Sequence, residues 1–425
     1  MASARRQSYR SSQSLRLHCN RIFLTMTVLQ SQGKTAHTNC TNTQEATSSD
    51  RILSIQSHVA FGYVGGKAAV FPLQCMGYDV DVVNTVNFSN HSGYGHFGGT
   101  KTNEAELTRI FDFMDKTGVL ISSRLLTGYI PNAESVSAVQ NLVEKLKARS
   151  PDLIYLLDPV LGDSGKLYVA PDVVPIYQQM LSSATIITPN WFEVEVLTNT
   201  KLTDISSLRT ALRKLHTDYG VPQVVVSSIP LCRLAISMPK YLLPSNHPVS
   251  PVNGSGSDDS QITSTPTNEP SFLLCIASSL NTSDDSTTPL STVYARCVPL
   301  IPGYFSGVGD LFSALLLGHF RPPSGVISSG TPTVGTKSLS HARSLAVATS
   351  HALSKTHAIL SLTHVAAAAQ SLPPTDDELD AREPERKSKR MKGRELRLIQ
   401  GQDLFRSREP VEDMSLWEGF WEDSQ

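Results

Sequence analysis

The chain has 425 residues, of which 40% are hydrophobic, and 37 basic side chains against 38 acidic ones leave a formal net charge of −1. That size fits one large α/β domain or two smaller ones, and the near-neutral balance argues against a general nucleic-acid binder. No apolar run approaches the roughly 20 residues of a membrane span, and the six cysteines show no zinc spacing, so a soluble protein of a reducing compartment, the cytoplasm by default, is expected.

Residues 1–50 are rich in Ser, Thr, Gln and Arg, with no acidic residue before Glu45. They are expected as a disordered extension; the Arg- and Ser-rich composition also admits a mitochondrial leader, although no clear amphipathic face supports one. The folded part is expected to start at Arg51. RILSIQSHV reads as a buried strand, GYVGGKAAVFPLQCMG as a glycine turn into a helix, and YDVDVVNTV as a second strand. The order then repeats: LTRIFDFMDKTGV helix, RLLTGYI strand, ESVSAVQNLVEKLKAR helix, LIYLLDPVL strand, VVPIYQQML helix, ATIITPN strand, SLRTALRKLHTDYG helix, PQVVVSS strand. β-Branched runs alternating with amphipathic helices predict an α/β fold, a mostly parallel sheet covered on both faces. In such sheets ligands sit beyond the carboxyl ends of the strands, where Ser57, His58, Asp158, Asp163, Thr188, Asn190, Ser227 and Ser228 collect.

After Ser228 the pattern changes. Disordered insertions are expected at about 244–289, around the strand FLLCIAS, and at 321–338. TVYARCVPLI predicts another strand. A helix follows within 341–370, whose histidines (His341, His351, His357, His364) read as surface residues rather than ligands, since no acids accompany them. The domain is thus expected over 51–370. Residues 371–394 read as a charged linker in which RKSKRMKGR is a solvated run, with nuclear import as the other reading. Residues 395–425 are expected as a last strand, ELRLIQ, and a tail whose Trp417, Phe420 and Trp421 dock on the body or on another chain.

Three stretches carry chemistry. In FSGVGDLFSALLL, a Gly-x-Gly-Asp turn opens an apolar helix, so the amides of Gly307, Val308 and Gly309 point out of a helix N-terminus with Asp310 beside them. Such amides hold an anion, and the carboxylate can take a proton from a hydroxyl receiving a phosphoryl group. Alone, the motif is more often an ordinary turn. Asp158-Pro-Val-Leu-Gly-Asp163 and Thr188-Pro-Asn-Trp-Phe-Glu193 close two successive strands with hard oxygen donors suited to magnesium on nucleotide phosphates. Singly, each also reads as a cap or turn residue; together with Gly-x-Gly-Asp they favour phosphoryl transfer. Gly62-Tyr-Val-Gly-Gly-Lys67 is not a Walker loop, being one residue short and followed by Ala68 where Ser or Thr should hold magnesium.

SIQSHVAFGYVGGKAA, NFSNHSGYGH, LLTGYIPN, DPVLGDSGKLYV, ITPNWFEVE and SGVGDLF, in this order, closely resemble the pyridoxal kinases of the ribokinase-like superfamily in their eukaryotic, fungal form. The likeness covers about residues 51–230 and 292–320, and the helix and ELRLIQ stretch beyond more weakly. It implies a three-layer α/β/α sandwich with a small active-site flap, and an ATP-dependent transfer to the 5′-hydroxymethyl group of pyridoxal, with pyridoxine and pyridoxamine as further substrates. By resemblance, Ser57 and Ser92 hold the pyridine ring in a pocket lined by Val64, Phe88 and Tyr129. Asp310 is the base, and Gly307, Val308 and Gly309 form the anion hole. Asp163 and Glu193 reach magnesium or another divalent ion, while Asp158, Thr188 and Ser227 help hold K+ or Na+. Asn190, Glu193, Ser227, Ser228, Val308 and the approach Ile301-Pro302-Gly303 contact ATP, and Tyr168 lies in the flap. A homodimer is implied too. Departures are Ser92 where many relatives have Thr, Val308 in place of Thr or Ala, and a shortened flap. The competing expectations are a hydroxymethylpyrimidine-type kinase and a catalytically idle, vitamer-binding regulator. SIQSH and FSNHSGYGH speak against the first, and the intact Asp310, Glu193 and Asp158 against the second.

Overall fold

The computed structural model describes residues 51–234, 238–244, 272–281, 288–323 and 334–422. The leader 1–50 and most of the insertion expected at 244–289 lie outside the described residues. So does most of the loop expected at 321–338, whose last residues instead begin a helix at Val334.

The strands are β1 (Arg51–Val59), β2 (Asp79–Phe88), β3 (Gly99–Lys101), β4 (Arg124–Thr127), β5 (Ile154–Leu157), β6 (Gly162–Asp163), β7 (Lys166–Leu167), β8 (Ile186–Ile187), β9 (Gln223–Pro230), β10 (Phe272–Leu280), β11 (Ser291–Pro299) and β12 (Ser415–Leu416). The main sheet runs β12-β11-β10-β9-β8-β5-β4-β1-β2-β3. Its six central strands, from β9 to β2, are parallel, and the outer strands on both sides pair antiparallel. The remaining two strands, β6 and β7, form a separate hairpin, the expected flap.

Alternating strand residues point to opposite faces. Leu53 and Ile55, Leu125, Tyr155 and Leu157, Ile187, and Val224 and Val226 enter one core with α2 (Glu104–Lys116), α3 (Ala133–Arg149), α4 (Val173–Met180), α5 (Trp191–Thr198) and α6 (Ile205–Arg213). Their neighbours Ile52, Leu126, Leu156, Ile186 and Val225 enter the other, with α1 (Gly66–Cys75), α7 (Val308–His319), α8 (Val334–Ala368) and α11 (Gln402–Arg406). This is the three-layer α/β/α sandwich. β1 has β2 on one side and β4 on the other, so the winding reverses between β1 and β4 and opens a crevice at their carboxyl ends.

The C-terminal quarter departs from expectation. ELRLIQ is not a strand: it follows α10 as a turn, and the last strand is β12. Residues 371–394 are not a bare linker either, for they form α9 (Asp377–Arg382) and α10 (Pro384–Gly393). Within the supposed solvated run, Arg390 is buried and paired with Asp380. Packing against the body supplies what the polar composition lacks. The aromatic tail docks on its own chain: Trp417 and Phe420 are core residues, and Trp421 Nε1 donates to Ser291 O at 2.9 Å. His351 of α8 is no plain surface residue, since its ring stacks on that of His319 at 4.5 Å. Among the described residues no helix is long and apolar enough to cross a membrane.

Candidate active site

The crevice is bordered by six strands, β1, β2, β4, β5, β8 and β9, and one helix. In β1 a register shift against β2 falls between Gln56 and Ser57. Such a bulge re-aims the side chains that follow it, and Ser57 lies against Gly65. A Cβ on Gly65 would collide with the Ser57 carbonyl and hydroxyl, and φ there is +54°, so the position needs glycine twice over. Gly65 N–H donates to Asp310 Oδ2 at 2.7 Å. The sequence-distant Ser57, Gly65 and Asp310 therefore meet at one point.

Asp310 sits in the first turn of α7. That helix starts from Gly307 in the left-handed region (φ 80°), and no side chain caps it. A Cβ on Gly307 would strike the Tyr63 carbonyl. Bare glycine lets the turn press against the loop after β1 and leaves the first amides of α7 facing the crevice. Three residues along the same face, Ser313 donates to Asp158 Oδ2 at 2.9 Å and pairs with Thr188 Oγ1 at 2.8 Å. Sequence reasoning did not single out Ser313; its signal was the i, i+3 spacing from Asp310.

Three enclosed carboxyls now adjoin. Asp310 keeps a window to solvent, but desolvation by the protein around it raises its pKa, with the Gly65 amide opposing. Asp158 is pushed up to about 8, first by burial and then by the charge of Asp310, against the Ser313 hydrogen bond. Glu193 is raised well above the usual range, by burial and then by Asp158. Acids crowded in this way favour a cation among them. Among the described residues, no three His, Cys, Asp or Glu side chains converge closely enough to hold a metal ion alone. These hard oxygen donors fit an ion that takes most of its shell from water and phosphate.

Glu193 is engaged in positioning. Its Oε1 accepts from Leu161 N (3.0 Å) and Gly162 N (3.4 Å), where the flap begins, and its Oε2 from Asn190 N (2.9 Å). Asn190 caps α5 through Oδ1 and donates Nδ2 to Gly162 O at 2.8 Å. The capping box thus anchors the β6–β7 hairpin to the end of β8. Asp163 in that hairpin receives the Ser164 N–H at 2.6 Å. Tyr168, half exposed, follows it; burial, then the nearby Tyr304, raises its pKa, which links the flap to the loop leading into α7.

Ser227 and Ser228 lie within β9, which continues to Pro230 rather than ending at Ser228 as the sequence suggested, and Ser227 N donates to Pro189 O at 3.3 Å. Ile301, Pro302 and Gly303 precede α7, and Gly303 faces the guanidinium of Arg394. On the other flank lie Val64, Phe88 and Tyr129, partly buried, and the exposed Ser92 opening a short helical turn. Tyr129 is fixed through its carbonyl, which accepts from Thr85 Oγ1 at 2.6 Å. Phe88 packs edge-on against Phe97. The expected residues thus divide into two groups about Asp310, one beside β1, β2 and β4 and one beside β5, β8 and β9.

Sequence reasoning missed Glu395. Its carboxylate reaches the loops after both β1 and β2, accepting from Tyr63 N at 2.8 Å and Tyr94 Oη at 2.7 Å. Nothing local in ELRLIQ signals this.

The phosphomethylpyrimidine kinase family model matches residues 121–235. BUD16 of Saccharomyces cerevisiae, itself described only provisionally as a pyridoxal kinase, is 40% identical over 273 residues, 63% of this chain and 73% of the relative. The pyridoxal kinase of Arabidopsis thaliana is 35% identical over 269 residues, again 63% and 73%. Among solved structures, pyridoxal kinase from Leishmania donovani in complex with ADP and pyridoxamine superposes with a TM-score of 0.62 at 28% identity, over 86% of this chain and 99% of that one.

Proposed function

The chain belongs to the pyridoxal kinase family, and from that premise we propose that it transfers the γ-phosphoryl group of ATP to the 5′-hydroxyl of pyridoxal, giving pyridoxal 5′-phosphate and ADP. One observation carries the reading. The Gly65 amide on Asp310 Oδ2 joins the Ser57 loop to the N-terminus of α7, so an acceptor held at Ser57 lies beside both a base and an anion site.

The chemistry follows from those groups. Ser57 and Ser92 hydrogen-bond the pyridine ring, while Val64, Phe88 and Tyr129 enclose it. Gly65 occupies Oδ2 of Asp310, which leaves Oδ1 for the substrate hydroxyl. A raised carboxyl pKa makes the ionised form a better base. As the hydroxyl proton passes to Asp310, the oxygen bonds to the γ-phosphorus and the bond from that phosphorus to the bridging oxygen of ADP breaks. The amides of Gly307, Val308 and Gly309 stabilise the charge on the moving phosphoryl group. Asn190, Ser227, Ser228, Val308 and Ile301 to Gly303 border the nucleotide, with Tyr168 above it.

Magnesium, bound through water by Asp163 and Glu193, would neutralise phosphate charge, and a monovalent cation at Asp158, Thr188 and Ser227 would answer the crowding of acids there. The same reading has the enzyme act in the cytoplasm as a homodimer; a sedimentation mass of one chain would remove the dimer.

The test is ADP release from ATP with pyridoxal, pyridoxine, pyridoxamine and hydroxymethylpyrimidine offered in turn. Turnover on the pyridine vitamers is expected. Turnover on the pyrimidine alone would overturn the proposal, as would vitamer binding without ADP release.

A further inference from the structure

We propose that Glu395 is a positioning residue for the vitamer site, its carboxylate locking the loops after β1 and β2 to each other beside the N-terminus of α7. This rests on the kinase reading above, since it concerns the flank assigned to pyridoxal.

The carboxylate is buried, at 8% exposure of its side chain, and the donors around it come from two separate loops, those after β1 and β2. Oε2 accepts the Tyr63 amide at 2.8 Å. Oε1 accepts the Tyr94 hydroxyl at 2.7 Å and lies 3.3 Å from His91 Nε2. His91 Nδ1 accepts from Gly93 N at 3.2 Å, so it is Nε2 that presents a proton to Glu395. The same Nδ1 lies 3.4 Å from Ser306 Oγ, the residue before Gly307. Burial works against a charge on Glu395, yet the hydrogen bonds from His91, Tyr94 and Tyr63 outweigh it and hold the pKa below the usual range. The ionised form is the one the surroundings are built for.

The neighbouring chain is shaped to this carboxylate. Gly62 has φ +93°, and a Cβ there would come within 2.5 Å of Glu395 Oε1. Met391 and Lys387 of α10 lie 3.4 and 3.7 Å from where side chains on Gly93 and Gly95 would begin. The segment that delivers Glu395 therefore also covers the turn carrying Ser92.

Positioning follows from the connectivity. Tyr63 gives its amide to Glu395, its carbonyl packs on Gly307, and two residues later Gly65 donates to Asp310. Releasing Tyr63 frees the loop that sets Ser57 and Gly65 against the base. Releasing His91 and Tyr94 frees the turn that bears Ser92. Neither loop borders Asn190, Ser227 or Ser228, so the loss should fall on the vitamer and, through the Tyr63 carbonyl on Gly307, on the transfer step, rather than on binding of ATP.

The experiment compares the full chain with Glu395→Ala, Glu395→Gln and Tyr94→Phe, measuring KM for pyridoxal and for ATP, kcat, and the thermal midpoint. Misplacement of about 1 Å at a reacting centre costs on the order of 100-fold, so kcat/KM for pyridoxal should fall about 10- to 100-fold in Glu395→Ala, with KM for ATP unmoved. Glu395→Gln should be intermediate, because one amide oxygen accepts where two carboxylate oxygens did. Tyr94→Phe loses a single donor and should raise KM for pyridoxal by a smaller factor; it decides the matter if Glu395→Ala does not fold. Unchanged pyridoxal kinetics in the folded variants would overturn the proposal. So would equal losses toward both substrates that track the thermal midpoint, the mark of a purely structural residue. An unmutated chain that turns over no vitamer would instead remove the kinase reading, and this inference with it.

Discussion

Asp310→Asn separates the two roles that the site gives this carboxylate. The substitution keeps the side-chain volume and an oxygen to accept the Gly65 amide, which lies 2.7 Å from Asp310 Oδ2. It removes the basicity. Loss of a positioned general base costs typically 10²- to 10⁴-fold, or about 2.7–5.5 kcal/mol in the barrier at about 1.4 kcal/mol per tenfold. kcat should fall by that factor, with KM for pyridoxal and ATP little changed. Stability should move the opposite way. Asp158 is held up to about 8 by burial and then by the Asp310 charge, so neutralising residue 310 lets Asp158 ionise more easily. Each pKa unit returned corresponds to about 1.4 kcal/mol less repulsion in the ionised, ligand-free protein. At pH 8 the variant should therefore melt no lower than the unmutated chain, and at pH 5, where Asp158 is protonated, that advantage should disappear. Steady-state ADP release and thermal unfolding at the two pH values read both effects. A kcat within tenfold of the original would refute the base, and a midpoint lowered more at pH 8 than at pH 5 would refute the electrostatic coupling.

Two further outcomes are expected. Gly307→Ala places a Cβ against the Tyr63 carbonyl at a left-handed position, which alone costs about 1–2 kcal/mol; the urea midpoint should drop and kcat/KM fall with it, whereas unchanged unfolding would mean that α7 does not start from that conformation. Asp158, Glu193 and Asp310 all have folded pKa values raised above those of the unfolded chain, so the folded, ligand-free protein binds more protons than the unfolded one. Their contribution is fully present below about pH 4, the usual carboxylate range, and is lost as pH rises through the folded values, about 8 for Asp158. Urea midpoints should decline from pH 5 to pH 8, and potassium with magnesium-ADP should flatten the decline; a flat profile without ligand would refute the crowding of acids.

How much was legible depends on the range of the interaction. Alternating β-branched runs and 3.6-residue periodicity announced β1, β2, β4, β5, β8 and β9 and the helices α1, α2, α3, α4 and α6, because those patterns follow from backbone geometry over a few residues; the short β3, β6, β7 and α5 carried too few residues to show a period. Gly-x-Gly-Asp, DPVLGD and TPNWFE were legible for the same reason: turn, cap and first-turn acid are local devices, and the capping box of Asn190 with Glu193 is one. The C-terminal quarter was not. Its charges suggested a linker and ELRLIQ a strand, yet α10 buries Arg390 on Asp380 and the following turn turns Glu395 inward. Only a tertiary neighbour can make a polar run fold against the body.

The sequence by itself determined the family, the order of layers and the residues that crowd the strand ends. Tertiary structure alone decided that Ser57, Gly65 and Asp310 share a point, that Ser313 joins Asp158 to Thr188, and that Glu395 joins the loops after β1 and β2. Tyr63 and Glu395 are 332 residues apart. A contact of that span leaves no periodicity in either segment, and it exists only once the sheet has brought the ends of β1 and β2 beneath the returning chain.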